Sequence, residues 1–277
     1  MCLVLLALRS HPDMELMLAG NRDEFYTRPS APPAVIASDP LIYAGRDLEA
    51  GGTWMGRNQM GMAAVLTNRR DPDAREVPDA RSRGEIVLKL LAHGDPEAAA
   101  TGLARTPVRH YRPFNVLFGT ARRMYSYSSQ EARPPAVLEA GFYALSNSTL
   151  DDRTWPKVAR SHAFFQRHRG LDGESFLLAL QAFLCDPTPP DALPSPHRDE
   201  EIHGALGAVF IRTPGYGTVS ASIITEGGAL GGRYYFAEGQ DMRHAQQGWA
   251  RGALGDGARA VPRSAAGSPF RLLRFPQ

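Results

Sequence analysis

The sequence predicts an α+β fold built on antiparallel sheets. Three observations lead there. Short apolar runs of strand length recur in pairs around turn residues. Helical spacing is confined to two clusters, so the order is strands, helices, strands, helices, strands, and not regular βαβ alternation. The chain has 277 residues, 43% of them hydrophobic and 22% charged, which suits one large globular domain.

The elements follow in chain order. Leu3 to Leu8 is a continuous apolar run, HPD at 11–13 is turn-forming, and Met14 to Ala19 is a second run. Together they read as a hairpin buried on both faces. GGTWMG (51–56) and GMAAVLTN (61–68) read as a strand pair around a turn near Asn58. Further strands are expected at FNVLFG (114–119), RMYSYSS (123–129), GFYALSN (141–147), GAVFIRT (207–213), TVSASIIT (218–225) and RYYFAE (233–238).

Ser82-Arg83-Gly84-Glu85 has capping-box spacing ahead of IVLKLL, which predicts a helix start. Asp95-Pro96 is an N-cap and first-turn pair for a second helix. WPKVARSHAFFQRHR (155–169) and ESFLLALQAFL (174–184) carry apolar residues at helical spacing, such as Phe176, Leu177, Leu180, Phe183 and Leu184. CDPTPPDALPSP (185–196) reads as an extended surface loop within one domain spanning 1–250. Residues 251–277 carry five arginines against one acid and read as a loosely ordered tail. Docking of its end, FRLLRF, is the alternative.

Composition also excludes classes of function. A formal net charge of +2 gives no electrostatic case for nucleic acid as a partner. Cys2 and Cys185 lie 183 positions apart, which fits neither a metal-binding spacing nor a disulfide framework. A reducing, cytoplasmic setting is therefore expected. The first run lacks a basic flank and is broken by Arg9, His11, Asp13 and Glu15, so it does not read as a signal peptide. No stretch approaches the roughly 18 apolar residues needed to span a bilayer.

Three features can carry chemistry. Cys2 follows the initiator methionine, and aminopeptidases remove Met1 before a small residue. The new terminus would hold a thiol and an α-amine with free pKa values of about 8.5 and about 7.7–8.0. The amine can then serve as base for the thiol. A small apolar residue opening a buried strand is the alternative for the same position. Second, Arg22, Asp23 and Glu24 end an otherwise apolar strand, and buried charge there needs a partner. In a hairpin the cluster returns toward Cys2, where a guanidinium favours thiolate and a carboxylate can orient the amine. A strand-end turn with a surface ion pair explains it equally. Third, Asn68 and Asn147 each follow an apolar strand. One side-chain donor to an oxyanion is worth about 3–4 kcal/mol of barrier, although asparagine in turns often bonds only its own backbone. Trp54 can wall a pocket or fill a core.

MC at the start, NRDE at 21–24, GGTW at 51–54, LTNRR at 66–70, SRG at 82–84, LSNSTLDDRTWPKV at 145–158 and YGT at 216–218 together resemble the NRDE family, also called the transport and Golgi organisation family. That family is similar in turn to N-terminal nucleophile (Ntn) hydrolases of the choloylglycine hydrolase and penicillin V acylase kind. The resemblance implies a four-layer αββα sandwich, with Cys2 at the nucleophile position. It implies Arg22 and Asp23 as supporting residues, with Asn21 or Glu24 able to fill one of those roles because the two are adjacent here. Asn147 and the region of Asn68 match the oxyanion side. Asn21, Glu24, Trp54 and Arg69 are the expected ligand contacts. One departure is Val219, where relatives often have arginine after YGT; Arg233 or Arg212 can stand in for it.

The expected function is therefore an N-terminal-cysteine amide hydrolase acting on a small molecule, with neither metal nor cofactor. The alternative is a non-catalytic carrier of haem or acyl-CoA/lipid, in which the basic face of 155–169 can meet a phosphate.

Overall fold

A computed structural model describes residues 3–70, 77–190, 206–244 and 268–273. The first apolar run becomes β1 (Leu3–His11), turned at Thr-free HPD into β2 (Met14–Phe25). Both strands are buried almost throughout, and the reason is their position in the middle of a sheet that is covered twice. Leu3, Leu5 and Ala7 pack on one side among Phe164, Phe165, Phe176 and Leu180. Val4, Leu6 and Leu8 pack on the other among Tyr43, Trp54, Met55, Val65 and Leu117. Side chains alternate across a strand, so a strand covered on both faces must be apolar at every position. Each fully buried leucine contributes roughly 1.5–3 kcal/mol to that packing.

The first sheet has the order β10-β1-β2-β11-β12-β13, where β10 is Gly141–Leu145, β11 is Tyr216–Glu226, β12 is Arg233–Glu238 and β13 is Arg271–Leu273. The second sheet runs β3 to β9 in chain order: β3 (Ser30–Ser38), β4 (Leu41–Asp47), β5 (Met55–Asn58), β6 (Ala63–Asn68), β7 (Phe114–Gly119), β8 (Met124–Ser128) and β9 (Ala136–Leu138). All the named pairings are antiparallel. Helices α3 (Pro156–His168) and α4 (Gly173–Leu184) cover the outer face of the first sheet. Helices α1 (Gly84–Leu91) and α2 (Pro96–Ala104) cover the outer face of the second, where Ile86, Val87, Leu90 and Leu103 meet Ala64, Leu66, Val116 and Phe118. The layers are therefore α, β, β, α, as expected. No helix among the described residues is long and apolar enough to cross a membrane.

Some expectations are corrected. GAVFIRT is not a strand. Ala208, Val209, Phe210 and Ile211 are buried as an irregular segment, held by Phe210 N–H to Asp186 O at 2.9 Å and Thr218 N–H to Ile211 O at 3.0 Å. Its apolar run reflects burial rather than sheet pairing. The capping box does not form: Arg83 occupies the N-cap with no side-chain bond, and Glu85 turns to Arg81 and Lys89. Asp95 does cap α2, accepting from the amides of Glu97 and Ala98. Within the tail, residues 251–267 lie outside the described residues, while Arg271–Leu273 joins β12 as an edge strand. Residues 191–196 of the proline-rich connection also lie outside them.

Candidate active site

One end of the sandwich gathers the charged and amide residues singled out above. β2 ends in NRDE, and strand alternation sorts these four residues onto two faces. Asn21 and Asp23 share the helix-covered face of Met17 and Ala19, while Arg22 shares the inter-sheet face of Leu16 and Leu18. Arg22 is 3% exposed. Its guanidinium stacks 4.6 Å over the Trp54 ring and donates from Nη2 to Asp47 Oδ2 at 3.2 Å. Both contacts cross from the first sheet to the second. Burial works to lower the Arg22 pKa, against which Glu24 and Asp47 favour its charge. Arginine remains charged regardless.

Asp47 holds the cluster together. It accepts from Arg28 Nε at 2.8 Å and from the amides of Glu49 and Ala50 at 3.2 and 2.9 Å. Burial alone would raise its carboxyl. The bonds from Arg28 and Ala50 and the charges of Arg28 and Arg22 overcome that and hold it below the ordinary carboxylate range. Arg28 also reaches Glu49 at 3.0 Å and lies 3.9 Å from Glu24. Glu24 thus belongs to a half-exposed ionic rim. Asp47 and Arg28 were not anticipated; the only local signal is a charged pair closing an apolar strand in YAGRD.

Trp54 is placed by two close backbone approaches. A Cβ on Gly45 would sit 2.5 Å from the Trp54 ring, so glycine makes room for the indole. A Cβ on Gly52 would sit 2.7 Å from the Gly84 backbone, and Thr53 N–H donates to Gly84 O at 3.3 Å. GGTW and SRG therefore meet as touching loops, a packing role.

The two asparagines meet, but not as twin donors. Asn147 Nδ2 donates to the backbone carbonyl of Asn68 at 2.8 Å, and Arg70 N–H donates to Asn147 O at 2.8 Å. Asn68 shares the strand face of Ala64 and Leu66, which pack on α1, so its side chain belongs to the outer face rather than the inter-sheet one. Asn147 remains buried beside it at 5% exposure. Arg69 is half-buried; its Nη1 is enclosed and has no hydrogen-bond partner among the described residues. Asn115 was missed in the sequence; its Nδ2 donates to Ser148 O at 2.8 Å and to Thr67 Oγ1 at 3.3 Å, bracing the same end.

Asn21 lies on the helix-covered face. Its Nδ2 donates to Leu184 O and Val209 O, each at 2.9 Å, tying α4 and the 208–211 segment to β2 from behind. Asp23 also lies behind. Thr218 Oγ1 donates to Asp23 Oδ1 at 2.6 Å, and Lys157 Nζ lies 3.8 Å from Oδ2. Arg22 and Asp23 are neighbours in sequence and do not act on one face.

Val219 sits where the β11–β2 register slips. Thr218 pairs with Asp23 and Ser220 with Arg22, leaving Val219 as the extra residue of a bulge. Arg233 does not stand in for a missing arginine. It pairs with Thr225 at the far end of β11 and binds Glu174 at 2.6 Å. Arg212 is exposed. On α3, Lys157 is buried and Arg160 pairs with Asp186, so those two do not form a free basic face. Cys2 lies outside the described residues. Cys185 is buried, and burial together with the neighbouring Asp186 pushes its thiol well above the ordinary range.

The family described as Transport and Golgi organisation 2 matches residues 1–235. The chain belongs to that family. Its mouse homolog is 32% identical over 228 residues, covering 76% of this chain and 81% of the mouse protein. The human homolog is 31% identical over 226 residues with the same coverage, 76% and 81%. Among solved structures, an N-acylethanolamine-hydrolyzing acid amidase ortholog from Caenorhabditis elegans superposes with a TM-score of 0.50 at 10% identity, covering 80% of this chain and 92% of that one. A mutant conjugated bile acid hydrolase from Clostridium perfringens gives 0.50 at 10% identity, covering 100% and 97%. The likeness is one of fold, that of the Ntn hydrolases. In this Transport and Golgi organisation 2 chain the NRDE block divides between two faces, GGTW and SRG pack together, and LTNRR meets LSN through a backbone carbonyl.

Proposed function

We propose that the protein is an N-terminal-cysteine amide hydrolase, with the residue after Met1 as nucleophile. The observation that carries this reading is the register of β1. On one side Leu3 pairs with Asn21 and Val4 with Gly20; on the other Val4 pairs with Leu145 and Leu5 with Ala144. β1 thus starts, at Leu3, beside the end of β2 that carries Arg22 and the end of β10 that leads to Asn147. Arg22 lies on the inter-sheet face, that of Val4 and Leu6. A thiol there would gain a permanent cation, which favours thiolate.

In the reaction, the Cys2 sulfur attacks the amide carbonyl carbon while its proton passes to the α-amine. The tetrahedral oxyanion collapses, the C–N bond breaks, and the α-ammonium returns the proton to the departing amine. Water then attacks the thioester, the same amine taking its proton, and the carboxylic acid leaves with Sγ reprotonated. Arg22 stabilises the sulfur anion, and Asn147, buried beyond the end of β10, is the amide donor this reading assigns to the oxyanion.

The test uses the full chain incubated with a panel of N-acyl amides, followed by intact-mass analysis. The expected result is loss of Met1, a transient acyl adduct on Cys2, and amine release. Cys2→Ala should abolish adduct and release with an unchanged melting temperature. Equal amine release by Cys2→Ala ends this reading.

A further inference from the structure

Buried and half-buried arginines in this chain come with carboxylates. Arg22 and Arg28 share Asp47, Arg57 holds Glu226 at 2.6 Å, and Arg160 pairs with Asp186. Arg69 departs from that pattern. It is half-buried and forms no ion pair with a described residue, and its Nη1 is enclosed without an acceptor among them. An enclosed guanidinium N–H with no acceptor forgoes the bond that would repay its desolvation, and so calls for an explanation.

The surroundings of Arg69 are fixed and offer it nothing. Its own N–H donates to Pro113 O at 3.1 Å, and the next residue, Arg70, donates its N–H to Asn147 O at 2.8 Å. The carboxylate that senses it is Asp152. Burial would raise that carboxyl; bonds from Ser148 and Thr154 and the charge of Arg69 hold it below the ordinary range. Asp152 Oδ1 is already taken by the Thr154 amide at 3.1 Å and hydroxyl at 2.6 Å. Asp152 therefore acts on Arg69 through space and does not bond it. Arg70 adds a second positive charge: it is exposed, with its guanidinium 5.8 Å over the Trp155 ring. Asn147 Nδ2 is held by the carbonyl of Asn68, the residue before Arg69. The unmet guanidinium thus stands beside the amide donor of the proposed site, and Arg69 keeps some exposure to solvent.

Such a group is a receptor for an anion. A carboxylate matches the planar fork of arginine with two parallel bonds. A phosphate monoester carries nearly a second negative charge at neutral pH, which Asp152 would repel. We propose that Arg69 is a specificity-determining residue that receives a carboxylate of the ligand, so that the site selects acidic amides, molecules with one carboxylate besides the amide. The amide part rests on the amide-hydrolase reading. The carboxylate part stands on Arg69 and its described neighbours alone.

The experiment compares two matched pairs: N-hexanoylglycine with N-hexanoylglycinamide, and N-hexylsuccinamic acid with its neutral diamide. The first pair places the carboxylate on the amine half of the molecule, the second on the acyl half. Binding is read by calorimetry on the full chain carrying Cys2→Ala, and amine release on the unsubstituted chain. In at least one pair the acid should bind about tenfold more tightly than its neutral partner. Arg69→Gln should remove that preference by weakening the acid alone, and Arg69→Lys should restore only part of it. N-hexanoyl phosphoethanolamine should bind more weakly than the better acid. Equal binding of acid and neutral partner in both pairs overturns the proposal without any change at Arg69, and so does binding of neither acid. Tighter binding of the phosphate ester overturns the carboxylate assignment. An Arg69→Gln chain that loses acid and neutral ligand alike marks a structural residue and overturns it too. A preference in binding with no amine released is a different failure: it removes the amide-hydrolase reading and leaves the carboxylate subsite in place.

Discussion

Arg22 is the residue on which the two sheets meet at the candidate site. Arg22→Ala removes its stack on Trp54 and one of the two arginines on Asp47, and should cost about 2–4 kcal/mol in urea unfolding at pH 7. Arg22→Lys keeps the charge without the planar fork and should recover only part of that loss. The pH dependence separates two carboxylates. Asp47 is depressed in the folded chain, so its contribution is present above its unfolded value of about 3.9 and is lost as pH falls through the folded value. Glu226 is raised, because burial outweighs the nearby Arg57; its contribution is present below about 4.3 and is lost as pH rises through the folded value. Denaturant midpoints across pH 2–7 (roughly the carboxylate range) should show Asp47→Asn flattening the acid limb and Glu226→Gln removing the decline above it. Residue types were legible here and partners were not. NRDE announces buried charge, but Asp47, Lys157 and Thr218 join it from β4, α3 and β11, and nothing local in those segments marks them as its neighbours.

Among the elements, the central strands were the plainest in the sequence. Burial on both faces writes an unbroken apolar run, as in β1, and a helix with one wet face writes a 3.6-residue period, as in α4. β3 was harder. It lies at a sheet edge, carries Pro32 and Pro33, and exposes much of its length, so its pattern is weak. The 207–213 run misled for the opposite reason, since burial without pairing produces the same letters. Loop contacts were legible only as glycines without an assigned purpose. Gly84→Ala would set a Cβ 2.9 Å from the Thr53 backbone and should lower stability by about 1–3 kcal/mol, read by thermal unfolding. Gly170→Ala meets nothing within 4 Å and should stay within about 0.5 kcal/mol of the parent.

At the scale of the molecule, the sandwich closes its first sheet with a strand from the far end of the chain. Tyr234, Tyr235 and Phe236 of β12 pair with Leu273, Leu272 and Arg271, and Phe270 enters the core behind them. A chain ending at residue 267 would leave the β12 edge unpaired. It should self-associate at micromolar concentration in size-exclusion chromatography, where the full chain is expected to elute unchanged on dilution. The hairpin at the start has a consequence in time. β1 and β2 are made first, yet β10 and β11, which flank them, come more than a hundred residues later; Asp23 waits for Thr218, 195 residues downstream. At ribosomal speeds of about 5–20 residues per second, that wait is roughly 10–40 s. Through that interval β1 and β2 lack the strands that flank them in the finished sheet, and the nascent hairpin should stay open to proteolysis until β11 is made.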